Sequence, residues 1–204
     1  MKRKLYLVRH GESEWNKLQR IQGHKNIPLS EMGRYQASKL AERLKSEEID
    51  LIYSSDLKRA FETAKIVGDE LGIEVTPLEA FREIRMGVWE GLSIEELIKS
   101  YPEEHLKWMN EPHNFCLEGA ETLLDLQKRS IKAVNEIFEA NPNKNIMIVS
   151  HSATIKAIIL GILNMDLSYY SKMSLSNVSL SVIEFRDYNN VLKLLNDTCH
   201  LRED

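Results

Sequence analysis

Two short apolar runs that each end in a histidine constrain the fold of this chain more than any other feature. Residues 5–8 lead directly into Arg9-His10-Gly11-Glu12, and residues 145–149 lead through Ser150 to His151 and then into a helical pattern. Such runs predict buried strands of a sheet that helices cover on both faces. Open α/β folds bind ligands at the C-terminal edge of the sheet, so both histidines are predicted at a ligand site.

The rest of the chain continues this alternation of strands and helices. Apolar runs predict strands near residues 4–9, 50–54, 73–77, 145–150, 178–186 and 190–197. The turn-rich sequence Asp187-Tyr188-Asn189-Asn190 joins the last two and predicts a hairpin, so the sheet is expected to be mixed. The pattern indicates an α/β protein, a three-layer α/β/α sandwich around a mostly parallel mixed sheet, with residues 1–204 forming one domain.

Two helices are predicted between the first three strands. Ser30 is placed as the N-cap of a helix whose apolar face is Ala37, Leu40, Ala41 and Leu44. A second helix is expected from Asp56 to Leu71, with Gly72 as its stop and with Leu57, Ala60, Phe61, Ala64, Val67 and Leu71 facing inward. Arg59 lies off this apolar face and can point toward the sheet edge, although solvent is the usual environment of a helical arginine.

Composition narrows the class of protein. The chain has 204 residues, of which 43% are hydrophobic, and a formal net charge of −4, which argues against a nucleic-acid-binding face. No stretch approaches the roughly 20 apolar residues of a membrane span, and the basic N-terminus lacks the apolar length of a signal peptide. Cys116 and Cys199 lack the close pairing of a metal or redox motif. We therefore expect a cytoplasmic protein with no metal site and no cofactor.

The first histidine motif has the chemistry of an anion site. Phosphoryl transfer needs an in-line nucleophile, cations that balance charge on the equatorial oxygens, and an acid for the leaving oxygen. A neutral imidazole such as that of His10, with a reference pKa near ~6.5, can attack without a metal. Arg9 and Arg59 can hold phosphate oxygens in a bidentate way that lysine cannot reproduce.

The motifs of this chain resemble, in order and over its whole length, those of the histidine phosphatase superfamily, also called phosphoglycerate mutase-like. The matching residues are Arg9-His10-Gly11-Glu12, Ser13, Asn16, Gln22-Gly23, Pro28-Leu29-Ser30 with Gly33, Ser54-Ser55-Asp56-Leu57, Arg59-Ala60, Thr63-Ala64, Glu83, Gly87, Trp89-Glu90-Gly91, Gly119, Glu121 and Val149-Ser150-His151. The resemblance implies a phosphatase that works through a phosphohistidine intermediate.

The resemblance also implies roles for individual residues. Catalysis is expected from His10, Arg9, Arg59, Glu83 and His151, with Glu83 as acid and base. Taken alone, Glu83 fits better an exposed glutamate paired with Arg82 or Arg85. Substrate contacts are expected from Arg9, Ser13, Asn16, Gln22, Gly23, Arg59, Met86 and the backbone amide of Ser152, where Ser13 has the alternative of capping a turn.

The segment at about residues 92–120 is interrupted by Pro102 and Pro112 and is expected to form a small helical lid. The mutases of the family carry paired arginines here, whereas this segment has none, which favours hydrolysis of a small phosphomonoester. The lid and the C-terminal stretch 196–201 resemble most the metal-independent phosphoserine phosphatases, so phosphoserine is the favoured substrate. That branch has a histidine where this chain has Met86, which keeps α-ribazole phosphate and broad-specificity phosphatases as alternatives.

Two further alternatives are a phosphoglycerate mutase and, outside enzymes, a degenerate protein-binding module. The filled catalytic positions argue against the binding module. The final predicted strand has apolar residues, Val191 and Leu195, that would permit a homodimer.

Overall fold

A computed structural model describes residues 3–202. The strands are β1 (Arg3–Arg9), β2 (Leu51–Ser54), β3 (Val75–Pro77), β4 (Ile146–Ser150), β5 (Leu180–Phe185) and β6 (Asn190–Asp197). The α-helices are α1 (Glu14–Lys17), α2 (Glu31–Leu44), α3 (Lys58–Leu71), α4 (Ile94–Ser100), α5 (Pro102–Asn110), α6 (Leu123–Ala140) and α7 (Ser152–Ile162). Across residues 3–202, every helix is too short or too polar to cross a membrane.

The strands form one sheet in the order β3-β2-β4-β1-β5-β6. Strands β1 to β4 are mutually parallel, while β5 runs antiparallel to both β1 and β6. The mostly parallel mixed sheet and its terminal hairpin are therefore as predicted. Chain order reverses around β1 and β4, which lie side by side with Arg9 opposite Ser150. The residues that follow these two strands consequently emerge next to each other at the C-terminal edge.

Helices cover both faces of the sheet, which confirms the three-layer architecture. Leu5 and Leu7 of β1 face a core formed with α6 and α7, and Tyr6 and Val8 face a core formed with α2 and α3. Successive strand residues point to opposite faces, so a strand covered on both sides must be apolar throughout. Residues 5–8 are all fully buried, and they anchor the end of β1 that leads into His10.

Helix α2 begins as the sequence predicts, because the Ser30 hydroxyl accepts from the Gly33 amide at 3.0 Å. Helix α3 begins two residues later than predicted. Leu57 keeps an extended backbone, and its amide donates to the Ser55 hydroxyl at 3.2 Å, so the helix starts at Lys58. Gly72 ends it in the left-handed conformation.

The buried face of α3 also differs from the prediction. Phe61 and Leu71 are only half-buried, whereas Arg59 and Thr63 are buried. Arg59 is therefore on the inner face rather than beside it. The start of the helix at Lys58 places its first turn at the sheet edge, where polar partners are available.

The predicted lid contains α4, α5 and the 3₁₀ turn Pro112–Asn114. Aromatic rings fasten it to the body: the Trp108 ring lies 5.2 Å from that of Phe115 and 5.8 Å from that of Tyr170, and the Trp89 ring lies 4.9 Å from that of Phe115. Such ring pairs stabilise beyond their buried area. The lid is consequently packed over the sheet edge that carries both histidines.

Candidate active site

His10 and His151 follow the paired strands β1 and β4 and lie in contact. Their ring centroids are 5.1 Å apart in an edge-to-face arrangement, and both side chains are almost fully buried. The amide of His10 donates to the Ser150 carbonyl at 2.9 Å, which continues the ladder one residue past the strand. The register of the sheet therefore sets the separation of the two imidazoles.

The hydrogen bond of His10 fixes which ring nitrogen can react. Nδ1 lies 2.7 Å from the Gly11 carbonyl oxygen. A carbonyl only accepts, so Nδ1 carries the proton and Nε2 has a free lone pair. Burial, and then the neighbouring charges of Arg59 and Arg9, hold the pKa of His10 well below its usual value. The imidazole is neutral at physiological pH and is available as a nucleophile.

Arg59 is the cation most deeply buried at this edge, with 1% of its surface exposed. Its guanidinium donates to the carbonyl oxygens of Gly23 at 2.9 Å and Lys25 at 2.8 Å. Burial lowers the pKa of Arg59 to about 10, so it stays charged near neutral pH. These contacts exclude the alternative of a solvated surface arginine.

Arg9 adds a second, partly buried cation, whose Nη1 donates to the Leu175 carbonyl at 2.6 Å. Within residues 3–202, Nε of Arg9, Nε of Arg59 and Nδ1 of His151 are buried and have no hydrogen-bond partner in the protein. Buried donors are normally satisfied. The unsatisfied nitrogens of these three residues indicate a site for an oxyanion.

His151 is fixed by its other ring nitrogen, because Nε2 lies 2.9 Å from the Ser55 hydroxyl. When that hydroxyl donates to Nε2, the ring proton resides on Nδ1, which then can donate to a ligand oxygen. Burial, followed by the charges of Arg59, His10, Arg9 and Arg129, holds the pKa of His151 well below its usual value.

Glu83 lies in the irregular segment after β3 and turns its carboxylate toward the N-terminus of α7. The carboxylate accepts from the amides of Ile84 at 3.0 Å, and of Ala153 and Thr154 at 3.3 Å each. The first amides of a helix lack intrahelical partners and favour an acidic neighbour.

The two arginines considered from the sequence as partners of Glu83 contact other carboxylates. Arg82 binds Asp56 through two of its nitrogens and reaches Glu79 at 3.0 Å. Arg85 is exposed, and its amide lies 3.5 Å from the Glu121 carboxylate. The Glu83 carboxylate is thus held by backbone amides and the Thr154 hydroxyl rather than by an arginine.

A cavity of about 290 Å³ opens between these residues and the lid. Its lining includes most of the residues expected at the site, namely Arg9, His10, Asn16, Gln22, Gly23, Arg59, Glu83, Met86 and Ser152. His151 does not line it but packs against the His10 ring. The sheet edge, the Glu83 segment and the start of α7 therefore converge on one cavity.

Ser13 is the predicted substrate-binding residue that the structure places away from the cavity. It is fully buried, caps α1, and donates to Gln22 Oε1 at 2.8 Å. Its amide also donates to Asn16 Oδ1 at 3.0 Å, and the hydroxyl lies 3.0 Å from the same oxygen. The alternative of a turn cap is the correct one, because a short helix leaves first-turn amides that a serine satisfies. Ser13 orients Asn16 and Gln22, which do line the cavity.

Gly23 has a backbone that only glycine accommodates here. Its φ is +46°, and a Cβ would lie 2.1 Å from Glu90 Oε1. Glu90 in turn accepts from the His24 amide at 3.0 Å. This tight turn presents the Gly23 carbonyl to Arg59, so the turn positions a cation.

Several residues of the cavity were not predicted from the sequence. They belong to the lid or to the segments that pack against it. They are Arg20, Ile21, Ile84, Trp89, Ile94, Leu97, His105, Trp108, Met109, Ala153 and Tyr170. Tyr170 lies in a 3₁₀ turn with no motif around it, and its position follows only from tertiary packing.

Residues 3–202 contain no group of three or more His, Cys, Asp or Glu side chains placed to hold a metal ion.

Comparison with known proteins gives consistent similarities. The family model of the histidine phosphatase superfamily (branch 1) matches residues 5–198. The chain is 39% identical over 200 residues to phosphoserine phosphatase 1 of Hydrogenobacter thermophilus, covering 98% of this chain and 95% of that protein. The solved structure of Bacillus stearothermophilus YhfR superposes with a TM-score of 0.92 at 31% identity, covering 98% of this chain and 99% of that one.

A third similarity is to a mutant phosphoserine phosphatase from Entamoeba histolytica in complex with phosphoserine. Its TM-score is 0.85 at 38% identity, with 98% of this chain and 99% of that chain covered.

Proposed function

Because this chain belongs to the histidine phosphatase superfamily and is a phosphatase of that type, we propose that it hydrolyses O-phosphoserine through a phosphohistidine on His10. The observation that supports this mechanism most directly is the state of His10. Its Nε2 lone pair is free, its ring is held neutral, and it lines the same cavity as Arg9, Arg59 and Glu83.

In the first step, Nε2 of His10 attacks phosphorus and the bond from phosphorus to the ester oxygen breaks. Arg9, Arg59 and Nδ1 of His151 stabilise the charge that spreads over the equatorial oxygens. Protonated Glu83 gives its proton to the departing serine oxygen, which leaves as the neutral alcohol. The two guanidinium groups supply the positive charge, so we propose that no divalent cation is required.

In the second step, water attacks the phosphorus of phosphohistidine. Glu83, now a carboxylate, takes a proton from this water, and the electron pair of the breaking N–P bond returns to Nε2. Inorganic phosphate is released and Glu83 is protonated again, so atoms and protons balance over the cycle.

Substrate choice is proposed from the relatives and from the lid side of the cavity. Arg20 lines this side, with its guanidinium 2.6 Å from the Gly91 carbonyl oxygen and 3.2 Å from Glu96. A guanidinium there can hold the carboxylate of phosphoserine. The high identity to two phosphoserine phosphatases supports the same choice.

A second candidate is a phosphatase of broader specificity that accepts bulkier, less polar esters such as α-ribazole phosphate. It is favoured by Met86, Trp108 and Tyr170, which give the cavity an apolar and aromatic wall. Such walls bind flat or apolar groups through buried area.

The experiment that tests the proposal is release of inorganic phosphate in the presence of EDTA, with O-phosphoserine and p-nitrophenyl phosphate compared side by side. We expect much the higher kcat/KM with O-phosphoserine, and turnover abolished in folded His10→Ala. Preference for the aryl ester would favour the second candidate. Near-wild-type activity of His10→Ala, or a strict need for magnesium, would contradict the mechanism.

A further inference from the structure

The segment that carries Glu83 is held in place by side chains rather than by regular secondary structure. Residues 82–85 form neither a helix nor a strand. Backbone carbonyls in such a segment need other donors. Thr154 Oγ1 donates to the Arg82 carbonyl at 2.8 Å, and Ser150 Oγ donates to the Phe81 carbonyl at 2.7 Å.

Arg129 of α6 binds more of this segment than any of these groups. Its Nη1 donates to the Ala80 carbonyl at 2.7 Å, and its Nη2 donates to the carbonyls of Arg82 at 2.9 Å and Glu83 at 3.0 Å. One guanidinium thus satisfies three carbonyls, including that of Glu83 itself. Since Arg129 is not on the wall of the catalytic cavity, it acts on Glu83 through the backbone.

The guanidinium is itself held rigidly. Nε of Arg129 donates to Glu121 Oε1 at 2.6 Å and Nη2 donates to Glu121 Oε2 at 2.9 Å, a two-point pair with low exposure on both side chains. The Glu121 amide in turn donates to the Arg85 carbonyl at 2.8 Å. The pair therefore clamps the backbone on both sides of Glu83.

We infer that Arg129 is a positioning residue for Glu83, and that it sets the efficiency of the two proton transfers without touching the substrate. The inference rests on the proposed function, because it assumes the acid and base roles of Glu83. The contacts of Arg129 need several donors held in one plane. A guanidinium has them and a lysine ammonium does not, so lysine cannot replace Arg129. Displacing a catalytic group by about 1 Å can cost about 10²-fold in rate.

A positioning role predicts an effect that depends on the leaving group. The p-nitrophenolate ion leaves without a proton, so formation of phosphohistidine from the aryl ester does not need Glu83. Departure of the serine alkoxide does need it, and so does attack of water on phosphohistidine. A general disturbance of the cavity would instead slow the first step for both esters.

The experiment compares wild type with Arg129→Ala, Arg129→Lys and the matched control Lys128→Gln, which removes the charge of an exposed neighbour on α6. For both Arg129 variants we expect kcat/KM for O-phosphoserine to fall about 10²-fold. For p-nitrophenyl phosphate we expect kcat and KM to fall together with kcat/KM retained. A burst of about one p-nitrophenolate per active site should precede slow turnover. Lys128→Gln should behave as wild type.

Chemical rescue gives an independent readout. Arg129 also lines a second cavity, of about 260 Å³, beside Ala80 and Arg82. Guanidinium ion at millimolar concentration should enter there and partly restore O-phosphoserine turnover to Arg129→Ala, but not to Glu83→Gln.

An equal fall of kcat/KM for both esters in the folded variants would overturn the inference, as would an absent burst. Arg129→Lys provides the comparison if Arg129→Ala does not fold. Failure of the proposed function would look different, because wild type itself would then turn over no O-phosphoserine or form no phosphohistidine.

Discussion

Acidification should destabilise this protein through its two buried histidines. The pKa values of His10 and His151 are both lowered in the folded state, first by burial and then by neighbouring cations. In the unfolded chain both return to about 6.5. Between the folded and unfolded values the unfolded chain binds more protons, so the free energy of unfolding decreases as the pH falls below about 6.5. This stability is fully present above that pH.

The size of the effect follows from the number of such groups. Each histidine that stays neutral in the folded state contributes a slope of about 1.4 kcal/mol per pH unit, so the pair contributes about 2.7 kcal/mol per unit. Integrated from about pH 7 to about pH 5, the loss is about 2 kcal/mol for each histidine and about 4 kcal/mol for both, if their folded pKa values lie below this range. A loss of that size is a large part of the stability of a typical domain.

The assay is urea unfolding across this pH range for wild type, His10→Gln, His151→Gln and the double variant. His200, whose pKa is also lowered, is retained in all four proteins. Each single substitution should remove about half of the pH-dependent loss, and the double substitution should remove about 4 kcal/mol of it. An identical pH dependence in wild type and the double variant would refute the conclusion that both imidazoles are neutral in the fold.

Three predictions concern activity. Glu83→Gln should lower kcat for O-phosphoserine by about 10² to 10⁴-fold while the protein stays folded; an unchanged kcat would remove Glu83 from the mechanism. Arg59→Lys should lower kcat/KM by about 10²-fold, because one ammonium cannot both satisfy the carbonyls of Gly23 and Lys25 and bind phosphate. If a positive charge alone were enough for catalysis, steady-state kinetics of this variant would show full activity. Arg20→Gln should raise KM by about tenfold for O-phosphoserine but not for O-phosphoethanolamine, which has no carboxylate; an equal rise for both would show that Arg20 does not hold that group.

The sequence was sufficient for the sheet and for the residues that follow its strands. Apolar runs such as residues 5–8 are continuous because both faces of the sheet are covered, and this signal is local. His10 and His151 could therefore be placed at one edge before their contact was known. The match of motifs then indicated Arg59 and Glu83, although nothing in their immediate neighbours distinguishes them from surface residues.

The features of the site that could not be predicted from the sequence depend on contacts between segments far apart in the chain. Tyr170 reaches the cavity from a turn far along the chain, and Arg129 reaches the Glu83 segment from the middle of α6. The sequence predicts a substrate contact or a turn cap for Ser13 because a hydroxyl near the motif fits either role, and the bond to Gln22 appears only in the fold. The start of α3 was placed too early because the extended backbone at Leu57 has no signal in residue type.

The unpartnered nitrogens of Arg9, Arg59 and His151 also affect the stability of the folded protein, apart from catalysis. Buried donors without a partner in the protein gain hydrogen bonds from a bound acceptor. Any tetrahedral oxyanion that binds them stabilises the folded state, by about 2.7 kcal/mol at a hundred times its Kd. The reaction product, inorganic phosphate, belongs to this class, so the same ion that competes with substrate would protect the protein against unfolding and proteolysis.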